Sequence, residues 1–318
     1  METMLRLRYE QSENYSTEMT PLTPVIIAYV ISADTIVVTT LPLYVGLCWI
    51  VLTGRRSKFS NPFYSLAVCV GIADIVVLIC QLIYPTVASI LEERNLPKIY
   101  AHLVSMLFVF AAWVVQHGII AVSLNRLAAV VYGYEYSLKF TQKTSAICIV
   151  SCLLFSLFDV SFQYYSGFEI QVPYRMTYEW VRGMGLLAKV AQHYTEVKTM
   201  LMSLFTFLVY CCIFVRIKKL QGQAQKESSL AIQFSMITGV YLLCIFVHWA
   251  SYKVLDHLSA HFISGILLLL NSSINPYIYL TFNSELRAEC IRRLKLLKKC
   301  FNQHNSVGTT NGSKIPKP

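Results

Sequence analysis

The sequence predicts an all-α membrane protein: a seven-transmembrane helix bundle with its N-terminus outside and an amphipathic eighth helix. Three observations predict it. Hydrophobic residues make up 55% of the chain and charged residues only 14%, against about 25% charged in ordinary soluble domains. The apolar residues gather into seven runs, and a spanning helix needs about 20 such residues. The basic residues lie mostly on one side of those runs.

The runs are residues 25–52, 62–91, 99–131, 144–164, 199–215, 230–252 and 262–282. The fifth is short. Its flanks carry Glu196, Lys198, Arg216 and Lys218, and long basic stems can snorkel to the membrane interface. Arg55, Arg56 and Lys58 follow the first span, and Lys139 and Lys143 follow the third. Arg216, Lys218, Lys219 and Lys226 follow the fifth, and six Lys or Arg between Arg287 and Lys299 follow the seventh. The alternate loops mix signs, as in Glu92-Glu93-Arg94. The positive-inside rule then puts the N-terminus outside and the C-terminus in the cytoplasm. The net charge of +10 is a topology signal and an attraction to anionic membrane lipid. No nucleic-acid partner is expected.

Residues 1–24 read as an extracellular tail, 25–282 as the bundle, 283–300 as a membrane-surface helix and 301–318 as a disordered cytoplasmic tail. The first twenty residues are polar, so the first span reads as an uncleaved anchor rather than a signal peptide. Asn14-Tyr15-Ser16 is a glycosylation acceptor on the expected outer side. Asn311-Gly312-Ser313 is the same tripeptide on the inner side, where it should stay unmodified. None of the ten Cys falls in an expected outer loop, so no extracellular disulfide is expected. No Cys or His spacing suggests a metal site. The longest loop, residues 165–196, lies outside and could fold over the mouth of the bundle. In residues 283–300, Leu286, Cys290, Leu294 and Leu297 recur at helical spacing between basic residues, as in a helix lying on the inner membrane face.

Several polar residues stand where a bilayer resists them. An ionisable group at the centre of a span costs about 2.5–3.5 kcal/mol on insertion scales. Asp74 lies deep in the second run, as a functional group or a satisfied structural knot. Arg126 lies near the end of the third run, as a functional group or a snorkelling cation. Asp159, near the outer end of the fourth, is a ligand candidate or a helix-cap residue. The segment Leu270-Asn271-Ser272-Ser273-Ile274-Asn275-Pro276-Tyr277-Ile278-Tyr279 carries two Asn, two Ser and a Pro. A Pro there frees backbone carbonyls that Ser and Asn side chains can re-satisfy.

The last segment resembles the seventh helix of rhodopsin-like G-protein-coupled receptors, whose mark is Asn-Pro-x-x-Tyr, met here as Asn275, Pro276 and Tyr279. The resemblance implies roles for other residues. Asp74 would join Asn271, Ser272 and Asn275 around a sodium ion or water cluster, the one cofactor it suggests. Arg126 matches the Arg of the Asp-Arg-Tyr motif, which in that family turns toward the G protein. Asn125 stands where the acid is usual and Leu127 where the Tyr is usual. Restraint of Arg126 then falls to Glu227 at the start of the sixth span, or Glu227 is a solvated loop charge. Asn283-Ser284-Glu285-Leu286-Arg287 looks like the entry to the family's eighth helix. Cys300 stands at a palmitoylation spacing, or is a free thiol. Other marks are missing: Gly46 replaces the first-span Asn, Ala101 the disulfide Cys, and Cys244-Ile245-Phe246-Val247 the sixth-helix motif. This pattern resembles the divergent nematode serpentine chemoreceptors of the srv or srx type. Asn61-Pro62-Phe63-Tyr64, Asp74, and Leu124-Asn125-Arg126 followed by Tyr136 and Phe140-Thr141 carry that likeness.

The expected function is a chemosensory receptor in the plasma membrane, with a sensory cilium as one setting the resemblance allows. It would bind a small-molecule or peptide ligand in the outer half of the bundle and activate a heterotrimeric G protein. The ligand-pocket candidates are Gln81, Tyr84, Phe108, Ala112, Trp113, Asp159, His248, Trp249, Tyr252 and His261, each with ordinary packing as the alternative. The outer half of the third span has no Asp, so that helix offers no salt bridge to an amine. No paired catalytic carboxylates, phosphate loop or nucleophile elbow suggests an enzyme. A transporter or channel is the alternative, against which stands the absence of internal repeats and paired broken helices. A non-signalling scaffold is also compatible with the missing sixth-helix motif.

Overall fold

The computed structural model describes residues 24–54, 59, 61–91, 98–166, 169–171, 179–181, 186–219, 225–255 and 257–310. Nine long or span-forming helices are labelled here: α1 Pro24–Gly54, α2 Pro62–Leu91, α3 Lys98–Tyr132, α4 Gln142–Tyr165, α5 Leu186–Lys219, α6 Gln225–Val254, α7 His257–Ser273, α8 Asn275–Phe282 and α9 Ser284–Thr310. The seventh span is α7 continued by α8. Six spans are long and apolar enough to cross a membrane, and the described part of α6 adds an apolar stretch, Ser235–His248.

Local chemistry sets the breaks. Asn61 caps α2, its side-chain oxygen accepting from Phe63 N at 3.0 Å, and Pro62 supplies a preset first turn. Gly133, at φ +50, ends α3 and leads through a short 3-10 turn into a one-turn helix, Tyr136–Lys139. Thr141 caps α4. At Pro276 the missing N–H interrupts the seventh span, and Ile274 O takes bonds from both Tyr277 N and Ile278 N. Asn283 starts α9 by accepting from Leu286 N at 3.0 Å. Arg287 turns back to donate to the carbonyls of Leu280 and Thr281, which the end of α8 leaves open.

The inward faces form the core, with Tyr29, Val37, Tyr44, Leu78, Val122, Ile213 and Leu269 buried. The outward faces are apolar: Trp49 is 64% exposed and Phe246 71%. Water would penalise such faces on every helix, whereas lipid covers them without cost. α2 and α3 approach so closely that a Cβ on Gly118 would meet Val70 at 2.5 Å.

Three features depart from the sequence expectation. The fifth span belongs to a 34-residue helix that starts at Leu186, so helix replaces the end of the expected outer loop. Its outer turns mix Lys189, His193 and Glu196 with apolar residues, which hides a helix from an apolar-run criterion. The outer loop also holds a two-stranded antiparallel ribbon, β1 Glu169–Gln171 on β2 Glu179–Val181, with Ile170 opposite Trp180. Finally, α9 runs on to Thr310, past the expected end at residue 300.

Candidate functional site

Three polar clusters occupy the bundle. The middle one centres on Asp74, which is 0% exposed on α2. Tyr44 on α1 donates to its Oδ2 at 2.7 Å, and Asn275 Nδ2 on α8 donates to the same oxygen at 2.7 Å. Asn271 and Ser272 are buried on the seventh span, and the Ser272 hydroxyl lies within reach of Asp74. Asp74 therefore meets Asn275 as expected, but the first-span partner is Tyr44. Gly46, at the position compared with the usual Asn, has open space where a Cβ would be. Gly71 makes the Tyr44 contact possible: a Cβ there would lie 3.1 Å from the Tyr44 ring and 3.0 Å from Cys48 Sγ. No basic side chain bridges Asp74 among the described residues. Asp74 Oδ1 and Asn275 Oδ1 remain buried without a hydrogen bond there, and two such acceptor oxygens suit a small hard cation.

The inner cluster holds Arg126, buried to 1% exposure in the C-terminal part of α3. Its guanidinium lies 3.5 Å from the centre of the Phe63 ring on α2, a cation–π seat that a charge-based search does not reveal. Its charge is also felt by Tyr210 on α5, which in turn neighbours the buried Tyr279 of α8. Asn125 does not face Arg126 as an acid would. It exchanges hydrogen bonds with the Tyr136 hydroxyl, giving at 2.8 Å and accepting at 3.1 Å. Tyr136 OH also reaches Asn61 at 3.4 Å. The Asn61, Asn125 and Tyr136 of the sequence likeness thus form one knot beneath Arg126. Nearby, the exposed Lys139 pairs with Glu135 at 2.8 Å and holds that carboxyl below its ordinary range. Glu227 lies in the first turn of α6, but its side chain falls outside the described residues.

The outer cluster joins α3, α4 and α5. Asp159 is 0% exposed in the body of α4, not at its cap, which is Ser166. Lys198 Nζ donates to both its oxygens at 2.5 Å, Tyr194 OH donates at 3.1 Å, and His117 Nε2 lies 3.3 Å away. Lys198, whose long stem can snorkel, turns inward because a buried carboxylate offers it more than the interface does. Trp113 stacks on His117 and gives its indole N–H to Gln163 at 3.4 Å, and Gln163 gives to Thr195 at 2.8 Å.

The remaining ligand candidates are dispersed. Gln81 is fully buried on α2, and its amide has no hydrogen bond among the described residues. Tyr84 stacks on Tyr100, and His248 Nδ1 lies 2.9 Å from Ser264 Oγ. Phe108 and Ala112 pack with Val77 and Val160. The side chains of Trp249, Tyr252, His261 and Cys300 fall outside the described residues, as does Asn14. A groove of about 560 Å³ opens between α5 and α6, lined by Ser203, Phe207, Leu242, Phe246 and Lys253 among others.

Seven spans in this order, a polar core linking the second and seventh, and a buried Arg at the inner end of the third define the rhodopsin class of receptor folds. Squid rhodopsin in its crystal structure matches with a TM-score of 0.70 at 12% identity, over 92% of this chain and 93% of that one. That likeness is one of fold. Residues 34–296 match the family of serpentine type 7TM GPCR chemoreceptors, Srv. The chain belongs to that family: it is a multi-pass membrane protein of the chemosensory receptor type. No curated protein matches the sequence.

Proposed function

We propose that the protein stands in the plasma membrane with its N-terminus outside, binds a chemical ligand in the outer half of the bundle and activates a heterotrimeric G protein through Arg126. It is not an enzyme on this reading. Family membership supplies the class, and the buried Arg126 on the Phe63 ring is the observation that carries the mechanism. A guanidinium held by a ring and polar neighbours can be released without breaking a carboxylate pair in the same helix turn. Tyr210 and Tyr279, on spans five and seven, stand ready to receive it. A ligand drives that change only through its higher affinity for the released state. Asn125, tied to Tyr136, keeps the end of α3 in register instead of restraining the charge.

Glu227 at the start of α6 is the carboxylate proposed to bias the resting state, with Asn275, Pro276 and Tyr279 as the hinge that moves. Asp74 and Asn275 would hold a sodium ion, whose charge would balance Asp74 in the resting bundle. Asn14 would carry a glycan, Cys300 a palmitoyl group, and α9 would rest on anionic lipid.

Basal signalling in a reporter cell tests this. Glu227→Ala should raise it, and Arg126→Ala should abolish it in both the wild-type and Glu227→Ala backgrounds, with surface expression kept. Full signalling by the doubly substituted receptor would remove Arg126 from the mechanism. A glycosidase-sensitive mobility shift should disappear in Asn14→Gln and persist in Asn311→Gln; the reverse would invert the topology.

A further inference from the structure

The outer cluster has the form of a recognition site that is already filled. The Lys198 ammonium touches both oxygens of Asp159 and lies 4.8 Å from the centre of the Trp113 ring and 5.4 Å from that of Tyr194. A carboxylate with two aromatic rings around one ammonium is the arrangement by which proteins recognise amine and quaternary ammonium ligands. Here the ammonium comes from the protein's own chain.

The two sides of the contact differ in mobility. Asp159 is 0% exposed and cannot leave α4, whereas the Lys198 side chain is 19% exposed on a flexible four-carbon stem. α5 continues outward for three turns beyond it, toward the interface where a lysine can snorkel. An incoming ammonium would exchange charge for charge at Asp159 and leave Lys198 to water. An incoming anion would have to leave Asp159 buried and unpaired, which is strongly unfavourable. The site therefore selects amines over acids.

We infer that Asp159, Trp113 and Tyr194 form an ammonium-binding cage, held closed by Lys198, and that an amine-bearing ligand opens it by displacing Lys198. This deepens the receptor reading, on which only its signalling consequence rests. Displacement would remove the Lys198 tie between α5 and α4 and leave those of Tyr194 and Thr195 in place. α5 and α3 carry Tyr210 and Arg126 at their inner ends, so the cage and the switch share two rigid elements.

The test uses full-length receptor in nanodiscs. Lys198→Ala should lower Tm by roughly 5 °C or more, because Asp159 loses its cation. Millimolar propylammonium should restore most of that loss and propanol none. Asp159→Asn combined with Lys198→Met, which carries no buried charge, should gain nothing from propylammonium. In the wild-type protein, tetramethylammonium should raise the acylation rate of Lys198 severalfold, read by mass spectrometry with Lys253 as the reference. Absence of propylammonium rescue, or Lys198 acylation indifferent to tetramethylammonium, overturns the proposal. If Lys198→Ala does not fold, the wild-type acylation decides alone. Neither readout involves a G protein, so failure here and failure of the Arg126 experiment are separate results.

Discussion

Among the described residues two carboxylates are buried at 0% exposure, Asp74 and Asp159, and they are satisfied in opposite ways. Asp159 has a cation of its own, Lys198, held on both oxygens. Asp74 has neutral partners among the described residues: Tyr44 and Asn275 donate to one oxygen, and the Ser272 hydroxyl lies within reach. The first cluster is closed electrostatically within the chain. The second has no cation of its own among the described residues, and the proposed sodium ion would supply one. Their positions differ accordingly. Asp159 ties together α3, α4 and α5, which are continuous helices; Asp74 ties α1 and α2 to the broken seventh span. A cluster that completes itself suits a latch, and one that depends on an external charge suits a hinge that changes state.

This contrast can be broken by substitution. The largest effect should come from Lys198→Ala, which leaves the fully buried Asp159 carboxylate without its cation. Removing one partner of a buried pair costs about 3–5 kcal/mol, and a thermal melt of the purified receptor should show it. Lys198→Met added to Asp159→Asn should recover most of that loss, since the buried charge is gone from both sides. Next is Gly71→Ala, which forces the Tyr44 ring and Cys48 away from α2. Overpacking of this kind costs about 1–3 kcal/mol, and it should also weaken any sodium effect, because Tyr44 is moved off Asp74. Asp74→Asn should cost less, about 1 kcal/mol, because its donors are neutral and an Asn oxygen can still accept from Tyr44. Glu135→Gln should leave the melt unchanged, since the Lys139 pair is exposed to solvent.

The spans were legible because lipid dictates both their length and their composition. Asp74 and Asn275 were legible because each stands against the apolar pattern of its helix. Tyr44 was not: a tyrosine in an apolar run looks like packing, and its reach to Asp74 depends on Gly71 in another helix. Phe63 as the seat of Arg126 was hidden for a similar reason, since a search for a restraining partner looks for a carboxylate. Lys198 lay at the edge of the fifth apolar run and read as an interface residue. The one available signal was Asp159 itself, a buried acid whose cost called for a cation within reach.

The dependence of thermal stability on sodium tests the contrast most directly. Potassium replaces sodium at constant ionic strength, and Tm is followed for the wild-type receptor, Asp74→Asn and the double variant Asp159→Asn/Lys198→Met. Sodium should raise Tm in the wild type and in the double variant, and should do nothing in Asp74→Asn. A sodium effect that survives Asp74→Asn, or one that vanishes when Asp159 and Lys198 are replaced, would contradict the assignment of the open site to Asp74 and the closed one to Asp159.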